Sequence, residues 1–460
     1  MRFRLLVASY RRRGKFEFDS LYNRPSKNSV YIAYGKVEKD SRFTSNMCDK
    51  QQQKSEPDRI NVVFLCDEWK SSRGGISTFN REFAIHLAKF WSFIVNVYCY
   101  VFGSSDQDRE DARNNNVNLI TAKRVPGSTD PMDSLKIPPP GVDVDVVVGN
   151  GRKFGVAAYF IAHFTSCKWV QFIHVNCEDL GKHKEEAEGV TDTIDDNENK
   201  HNNELDLCKE AHKVICVGRM LREKYKSFLP DISVEMITPG TFENFSPSKH
   251  CSFRLLSDDE SSKEKEFKVF ILGRLKMEDL YVKGLDIIAN AVALLERRFQ
   301  LICVGSPAGE QKGFRSWFLK NTKITDEQLT IRRYCDQTKL KEMFQEADLV
   351  ALPSRAEGFG LIALEAISAR KPVLISSQAG ISVSLGEVKG GSDVTVASTE
   401  PQEWAKKINE LSSQTSQERH GKALHLRENY REVYCWKKET EKFITLVKNL
   451  SRGGNADTSN

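Results

Sequence analysis

The segment at residues 355–366, RAEGFGLIALEA, concentrates groups able to do chemistry. Glu357, Gly358, Phe359 and Gly360 stand before an apolar helical pattern, and Glu365 follows eight positions after the first acid. The preceding apolar run ends at Pro353, so residues 357–360 form a loop leading into a helix. The first amides of a helix have no intrahelical acceptor, and two glycines let a ligand approach the backbone, which makes a ready anion site. Glu365 would lie ~7–8 Å farther along the axis at ~1.5 Å per residue. That is the reach from a diphosphate to a ribose, whose vicinal hydroxyls a carboxylate accepts together. Glu357, at the loop tip, is free to meet a group beyond the phosphates.

Two other places carry chemistry-bearing types. Gly273-Arg274 follows a strand-like run, and Lys283-Gly284 opens a helical pattern. A departing diphosphate gains negative charge as its bond breaks, and a fixed Arg and Lys stabilise that charge without a metal. His174, in Phe172-Ile173-His174-Val175, ends another strand-like run. In an open α/β sheet that end faces the ligand crevice. Taken singly, each has a plain structural reading: solvated cations in one case, an imidazole that holds the core in the other.

Positioning such groups requires strands that end at a common edge. Residues 60–66 (INVVFLC) are an apolar run, Gly74-Gly75 breaks the chain after it, and residues 76–90 carry Phe79, Phe83, Leu87 and Phe90 at helical spacing. Strand, glycine loop and helix make the first unit of a doubly wound sheet. Further apolar runs lie at 93–102, 142–148, 169–173 and 214–217, while the acid-rich stretch 178–203 reads as a long surface loop. A polar stretch at 257–266 (SDDESSKEKE) reads as an interdomain linker, after which the alternation restarts. Strands are expected at 267–272, 300–304, 329–334, 349–353 and 373–376, and helices at 338–346 and 360–370. Leu285, Ile288, Val292 and Leu295 form one more helical face, and a last helical pattern, 436–450, comes after both sheets. The alternation predicts two successive α/β domains.

The order Gly74-Gly75, His174, Gly273-Arg274, Lys283-Gly284 and EGFGLIALE resembles the GT-B-fold glycosyltransferases of family 4. The most specific part is Glu357-x7-Glu365 with Gly-Phe-Gly between, preceded by ADLVALPS at 347–354; Pro239-Gly240 and the helix opening at Trp436 fall where that family crosses between domains and returns. The resemblance implies two Rossmann-like doubly wound domains facing a central cleft. It also implies transfer of a sugar from a nucleotide-activated donor, a UDP-, GDP- or ADP-sugar, with retention of configuration and no required cofactor or metal. Arg274 and Lys283 would bind the donor diphosphate and Glu365 the ribose. Glu357, with the backbone amides of Phe359, Gly360 and Leu361, would contact donor sugar and phosphates. His174 would sit beside the reacting sugar, Gly75 would close over the phosphates, and Tyr334-Cys335 falls where backbone groups read the base. On this resemblance His174, Arg274, Lys283 and Glu357 would form the catalytic set. Two departures stand out. The Arg274–Lys283 interval is long, so the loop 276–282 must bulge, and Asn150 stands where the family often has a His.

The expected boundaries are a basic, disordered leader at 1–58, an acceptor-side domain at 59–250, a linker at 251–266 and a donor domain at 267–430. A returning helix at 431–450 and a disordered tail at 451–460 complete them. Residues 1–55 carry a local charge of +8 within a total of +5, so the body is close to neutral and offers no global case for nucleic-acid binding. No apolar run approaches the ~18 residues of a spanning helix, which leaves room for peripheral membrane contact only and suggests a cytoplasmic protein. Asp143-x-Asp145 imitates a metal-binding D-x-D but opens an apolar strand rather than ending one, and Gly149-x-Gly151 followed by Gly155 is spaced wrongly for a dinucleotide fingerprint. A non-catalytic sugar-nucleotide sensor on the same fold is the alternative from another class; a GT-B epimerase or phosphorylase suits the Glu357–Glu365 motif less well.

Overall fold

The computed structural model describes residues 59–70, 74–184, 193–245, 266–335 and 337–452. All belong to the compact unit Glu56–Asn460. The leader at 1–58, nearly all of the linker (251–265), the acid-rich residues 185–192 and the end of the tail (453–460) lie outside the described residues.

The first lobe runs β1 (Ile60–Cys66), α1 (Gly75–Trp91), β2 (Val95–Val101), α2 (Asp106–Asn114), β3 (Asn118–Thr121), β4 (Val146–Asn150), α3 (Gly151–Thr165) and β5 (Lys168–Ile173). It continues through α4 (Cys177–Lys184), α5 (Thr193–Glu210), β6 (Lys213–Val217), α6 (Arg219–Phe228) and β7 (Val234–Ile237). Its seven strands are parallel, in the order β3-β2-β1-β4-β5-β6-β7. Val62, Val63, Phe64 and Leu65 are fully buried in β1, as expected where helices cover both sheet faces. The stretch 178–203 is not the expected surface loop: its described parts lie in α4 and α5.

The second lobe runs β8 (Phe267–Leu272), α7 (Leu285–Ala293), β9 (Phe299–Ser306), α8 (Gln311–Asn321), β10 (Leu329–Arg333), α9 (Gln337–Glu346) and β11 (Leu349–Leu352). After these come α10 (Leu361–Ser368), β12 (Val373–Ser376), α11 (Gly380–Leu385), β13 (Thr395–Val396), α12 (Pro401–Ser412) and α13 (Ser416–Val433). The six parallel strands take the order β10-β9-β8-β11-β12-β13. Two Rossmann-like doubly wound domains therefore make the fold.

The last helix, α14 (Trp436–Arg452), crosses back and packs on α1 of the first lobe. Phe443 meets the ring of Phe83 edge-on at 5.3 Å, and the Trp91 indole N–H donates to Thr440 Oγ1 at 2.9 Å. Each sheet reverses its strand order once, between β1 and β4 and between β8 and β11. Ligand crevices open outside the carboxyl ends of strands at such points. Among the described residues no helix is long and apolar enough to cross a membrane.

Candidate active site

Both switch points deliver candidate residues. From the first lobe, β1 leads to Gly74 and Gly75 at the start of α1, β4 ends on Asn150, and β5 ends just before His174. From the second, β8 leads to Gly273 and Arg274, and β11 leads to the loop before α10. All eleven residues singled out in the sequence line one cavity of about 320 Å³ between the lobes. Gly75, His174, Arg274 and Lys283 share it with Tyr334, Cys335, Glu357, Phe359, Gly360, Leu361 and Glu365. Its size falls within the range of small-molecule sites.

Local geometry explains the placement. The loop after Arg274 bulges as its length requires: a single 3₁₀ turn at Met277–Asp279 is followed by buried Leu280 and Val282. The Lys283 amide donates to Asp279 O at 2.9 Å, and Arg355 N reaches back to Val282 O at 2.8 Å, which fixes Lys283 beside the end of β11. Gly360 caps α10 at φ 96°, a left-handed conformation that other residues resist, and so turns the chain sharply into the helix. Gly358 is needed for a different reason. A Cβ there would lie 1.9 Å from the carbonyl oxygen of His174, so only glycine lets this loop nest against the end of β5. The lobes are thus in contact across the cleft.

The electrostatics are distinctive. The side chains of Arg274 and Lys283 make no hydrogen bond or ion pair among the described residues, although both residues line the cavity. Two helix N-termini, of α1 and α10, open onto the same space and add partial positive charge. Glu365 is buried, and burial together with the charge of Glu82 raises its pKa to about 8. Glu82 is itself raised to about 7 by burial, against the pull of Arg81. His174 is driven down to about 3 by burial and is neutral. Its Nε2 lies 2.8 Å from Asn150 Oδ1, and its ring meets Phe79 edge-on at 5.1 Å.

Thr78, in the first turn of α1, and Ser354, just after β11, also line the cavity; the Ser354 hydroxyl is buried without a hydrogen-bond partner. The sequence reading assigned neither. A hydroxyl three residues beyond a glycine pair at a helix start was the available signal for Thr78. The Asp143-x-Asp145 decoy is structural, with the Asp145 carboxylate accepting from the Asn61 amide at 2.7 Å. Among the described residues no group of three or more His, Cys, Asp or Glu is placed to hold a metal ion.

A family model described as family 4 glycosyltransferase in conflict systems matches residues 63–443. The chain belongs to that family. As a member of the family 4 glycosyltransferases it is also similar to a D-inositol 3-phosphate glycosyltransferase of Catenulispora acidiphila, 24% identical over 253 residues, with 54% of this chain and 56% of that protein covered. A second D-inositol 3-phosphate glycosyltransferase, from Corynebacterium urealyticum, is 29% identical over 236 residues, with 48% and 50% covered. The chain therefore spans about half the length of these curated relatives. In fold, this family 4 member is similar to a sucrose-phosphate synthase from Thermosynechococcus elongatus, with TM-score 0.64, 16% identity, and 86% of this chain and 100% of that one covered. Anabaena HepE in complex with UDP-glucose gives TM-score 0.61 at 17% identity, covering 85% and 100%.

Proposed function

We propose that the protein transfers a sugar from a nucleotide-sugar donor to an acceptor hydroxyl with retention of configuration at the anomeric carbon. The observation that carries this reading is the pair of unpartnered cations, Arg274 and Lys283, facing one cavity with the N-terminus of α10 and with Glu365. The cations and the amides of Phe359, Gly360 and Leu361 take the diphosphate, Glu365 the ribose, and the backbone at Tyr334-Cys335 the base. Glu357 meets the sugar, while from the opposite lobe His174 sits beside the sugar and Gly75 closes over the phosphates.

When the bond from the anomeric carbon to the diphosphate oxygen breaks, its electron pair leaves with the phosphate. Arg274 and Lys283 stabilise the charge that develops there. The acceptor oxygen bonds to the anomeric carbon on the face the diphosphate leaves, and its proton passes to the departing phosphate oxygen. Atoms and charge balance without an external base. Two fixed cations and a helix N-terminus supply the positive charge at the leaving group, so turnover is expected to persist in excess EDTA. Loss of all turnover there, restored by Mg²⁺ or Mn²⁺, would overturn that expectation.

Anabaena HepE, a structure of the same fold, binds UDP-glucose, which directs the first donor screen to UDP-sugars. The relatives named for D-inositol 3-phosphate make it the first acceptor to try. The test begins with the melting temperature in UDP, GDP and ADP, since a ligand that binds only the folded state raises it. The matching nucleotide sugars are then assayed for diphosphate release with and without acceptor, and the anomeric configuration of the product is read by NMR. An inverted product removes the retaining mechanism. Binding with neither transfer nor hydrolysis replaces the transferase with the sensor.

A further inference from the structure

Asn150 occupies the N-cap position of α3, where asparagine ordinarily accepts a hydrogen bond from the first turn. It makes no such bond. The Asn150 side chain turns inward instead and is fully buried. Its Nδ2 donates to Leu65 O at 3.2 Å, and its Oδ1 lies 2.8 Å from His174 Nε2. These two contacts settle each other. The Leu65 carbonyl can only accept, so Nδ2 must face it and Oδ1 must face the imidazole. An amide oxygen can only accept in turn, so Nε2 carries the ring proton.

We propose that Asn150 is a positioning residue that holds His174 as its Nε2–H tautomer and so leaves Nδ1 as a hydrogen-bond acceptor for a donor-sugar hydroxyl. Nδ1 has no hydrogen-bond partner among the described residues, and His174 lines the cavity. The ring is fixed in place by Phe79 of α1, edge-on at 5.1 Å, and Phe172 of β5, stacked at 6.3 Å. With Nε2 committed and the imidazole neutral, a hydroxyl donor is the partner that Nδ1 can take. The imidazole is neutral, as burial holds its pKa far below neutrality. The charged groups that share the cavity are Arg274, Lys283, Glu357 and Glu365, all on the second lobe. The hydroxyl part of this inference rests on the transferase reading; the tautomer does not.

The test uses full-length protein with ¹⁵N-labelled histidine, the His174 signals being assigned by their absence in His174→Gln. Two-bond ¹⁵N–¹H couplings identify the tautomer at pH 7, and Nε2–H is expected. An Nδ1–H ring or an imidazolium in the wild type overturns the proposal before any variant is made. In Asn150→Asp a carboxylate replaces the amide oxygen, and the pH at which His174 charges should rise by about 1–3 units. A residue 150 side chain that does not face Nε2 in solution would leave it unchanged, and that result would overturn the contact on which the proposal rests. Asn150→Ala should leave nucleotide affinity intact, give a mixture of tautomers and lower kcat about 10-fold or more, as loss of an orienting partner does. Unchanged tautomer and kcat in a folded Asn150→Ala protein count against it. Adding UDP-glucose to the wild type should shift the Nδ1 resonance. A bound donor that leaves Nδ1 unmoved removes the acceptor role while the tautomer assignment stands, whereas absence of turnover with a shifted Nδ1 places the failure in the transferase reading alone.

Discussion

At neutral pH the carboxyl of Glu365 is largely protonated, because burial and the charge of Glu82 hold its pKa at about 8. A ribose whose two hydroxyls both donate favours the ionised form, so nucleotide binding at pH 7 should release a proton. Calorimetry of UDP binding in buffers of different ionisation enthalpy measures that release directly; Glu365→Gln should abolish it and weaken affinity. A buffer-independent enthalpy in the wild type would count against the ribose contact. Without ligand, the raised pKa means the folded state holds a proton that the unfolded state has lost. The stability this gives is complete below about pH 4.5 and disappears as pH rises through about 8. Glu82, raised to about 7, adds a contribution of the same sign. Urea midpoints should therefore fall from pH 6 to pH 9, and less so in Glu365→Gln. Lys283 acts differently. In the proposed reaction its charge meets a leaving group that becomes more negative in the transition state, so Lys283→Ala should lower kcat by roughly 10²-fold or more while KM changes less. A loss confined to KM would assign Lys283 to ground-state binding.

The elements decide whether these groups meet. Gly358 lets the loop before α10 reach the end of β5, and in Gly358→Ala the new Cβ would meet His174 and Val175 backbone atoms, which cannot swing aside. The lobes must part, and a displacement of ~1 Å at a reacting centre can cost about 10²-fold in rate. Arg274, Lys283 and Glu365 all belong to the second lobe, so UDP affinity should change little while kcat falls. The control is Gly313→Ala on α8, where a Cβ meets nothing within 4 Å and activity should be retained. Equal kinetics for the two variants would show that the contact at Gly358 does not set the geometry. Much of this scaffold is legible in the sequence, because a strand covered on both faces reads as an unbroken apolar run and glycine punctuation marks the start of α1 and α10. The elements that escape such reading do so for a physical reason. β3 and β7 are short edge strands: β3 buries none of its residues fully, and β7 buries only its two ends, so neither forms an apolar run. α5 buries Asn197, His201, Glu204 and Cys208, which share one helix face through spacings of four, three and four. That face is mostly polar and is satisfied by contacts such as Tyr225 OH to Glu204 at 2.6 Å, so hydrophobic periodicity passes over it. Eleven residues of the cavity are legible by motif, spacing and family resemblance, whereas Thr78 and Ser354 are not among them and the Asn150–His174 pairing needs two strands brought side by side.

At the scale of the whole molecule, two chain segments pass between the lobes and bond to each other. The Tyr430 hydroxyl donates to Pro239 O at 2.8 Å, the Thr238 amide to Glu439 Oε2 at 2.9 Å, and the Trp436 indole N–H to Thr241 O at 3.1 Å. One hinge of two strands results, with α14 bound to α1 beyond it. Trp436 is its centre: it is buried, stacks on His86 at 5.2 Å and contacts Phe79, Phe83 and Phe242. Trp436→Ala removes a large buried ring from this junction and should cost about 3–5 kcal/mol in urea unfolding. Trp436→Phe keeps most of the packing but leaves the Thr241 carbonyl unpaired, for about 1–3 kcal/mol. The position of the hinge ties stability to function. In the proposed reading the donor meets His174 and Gly75 from one lobe and the two cations from the other, so a loosened hinge must be closed again at the expense of binding or turnover. The variants should therefore rank wild type, Phe, Ala in both stability and kcat, measured well below each melting temperature. A Trp436→Ala protein that is destabilised yet fully active would mean that the contacts at the cleft, Gly358 on His174 and Leu361 on Gly75, align the lobes without the hinge.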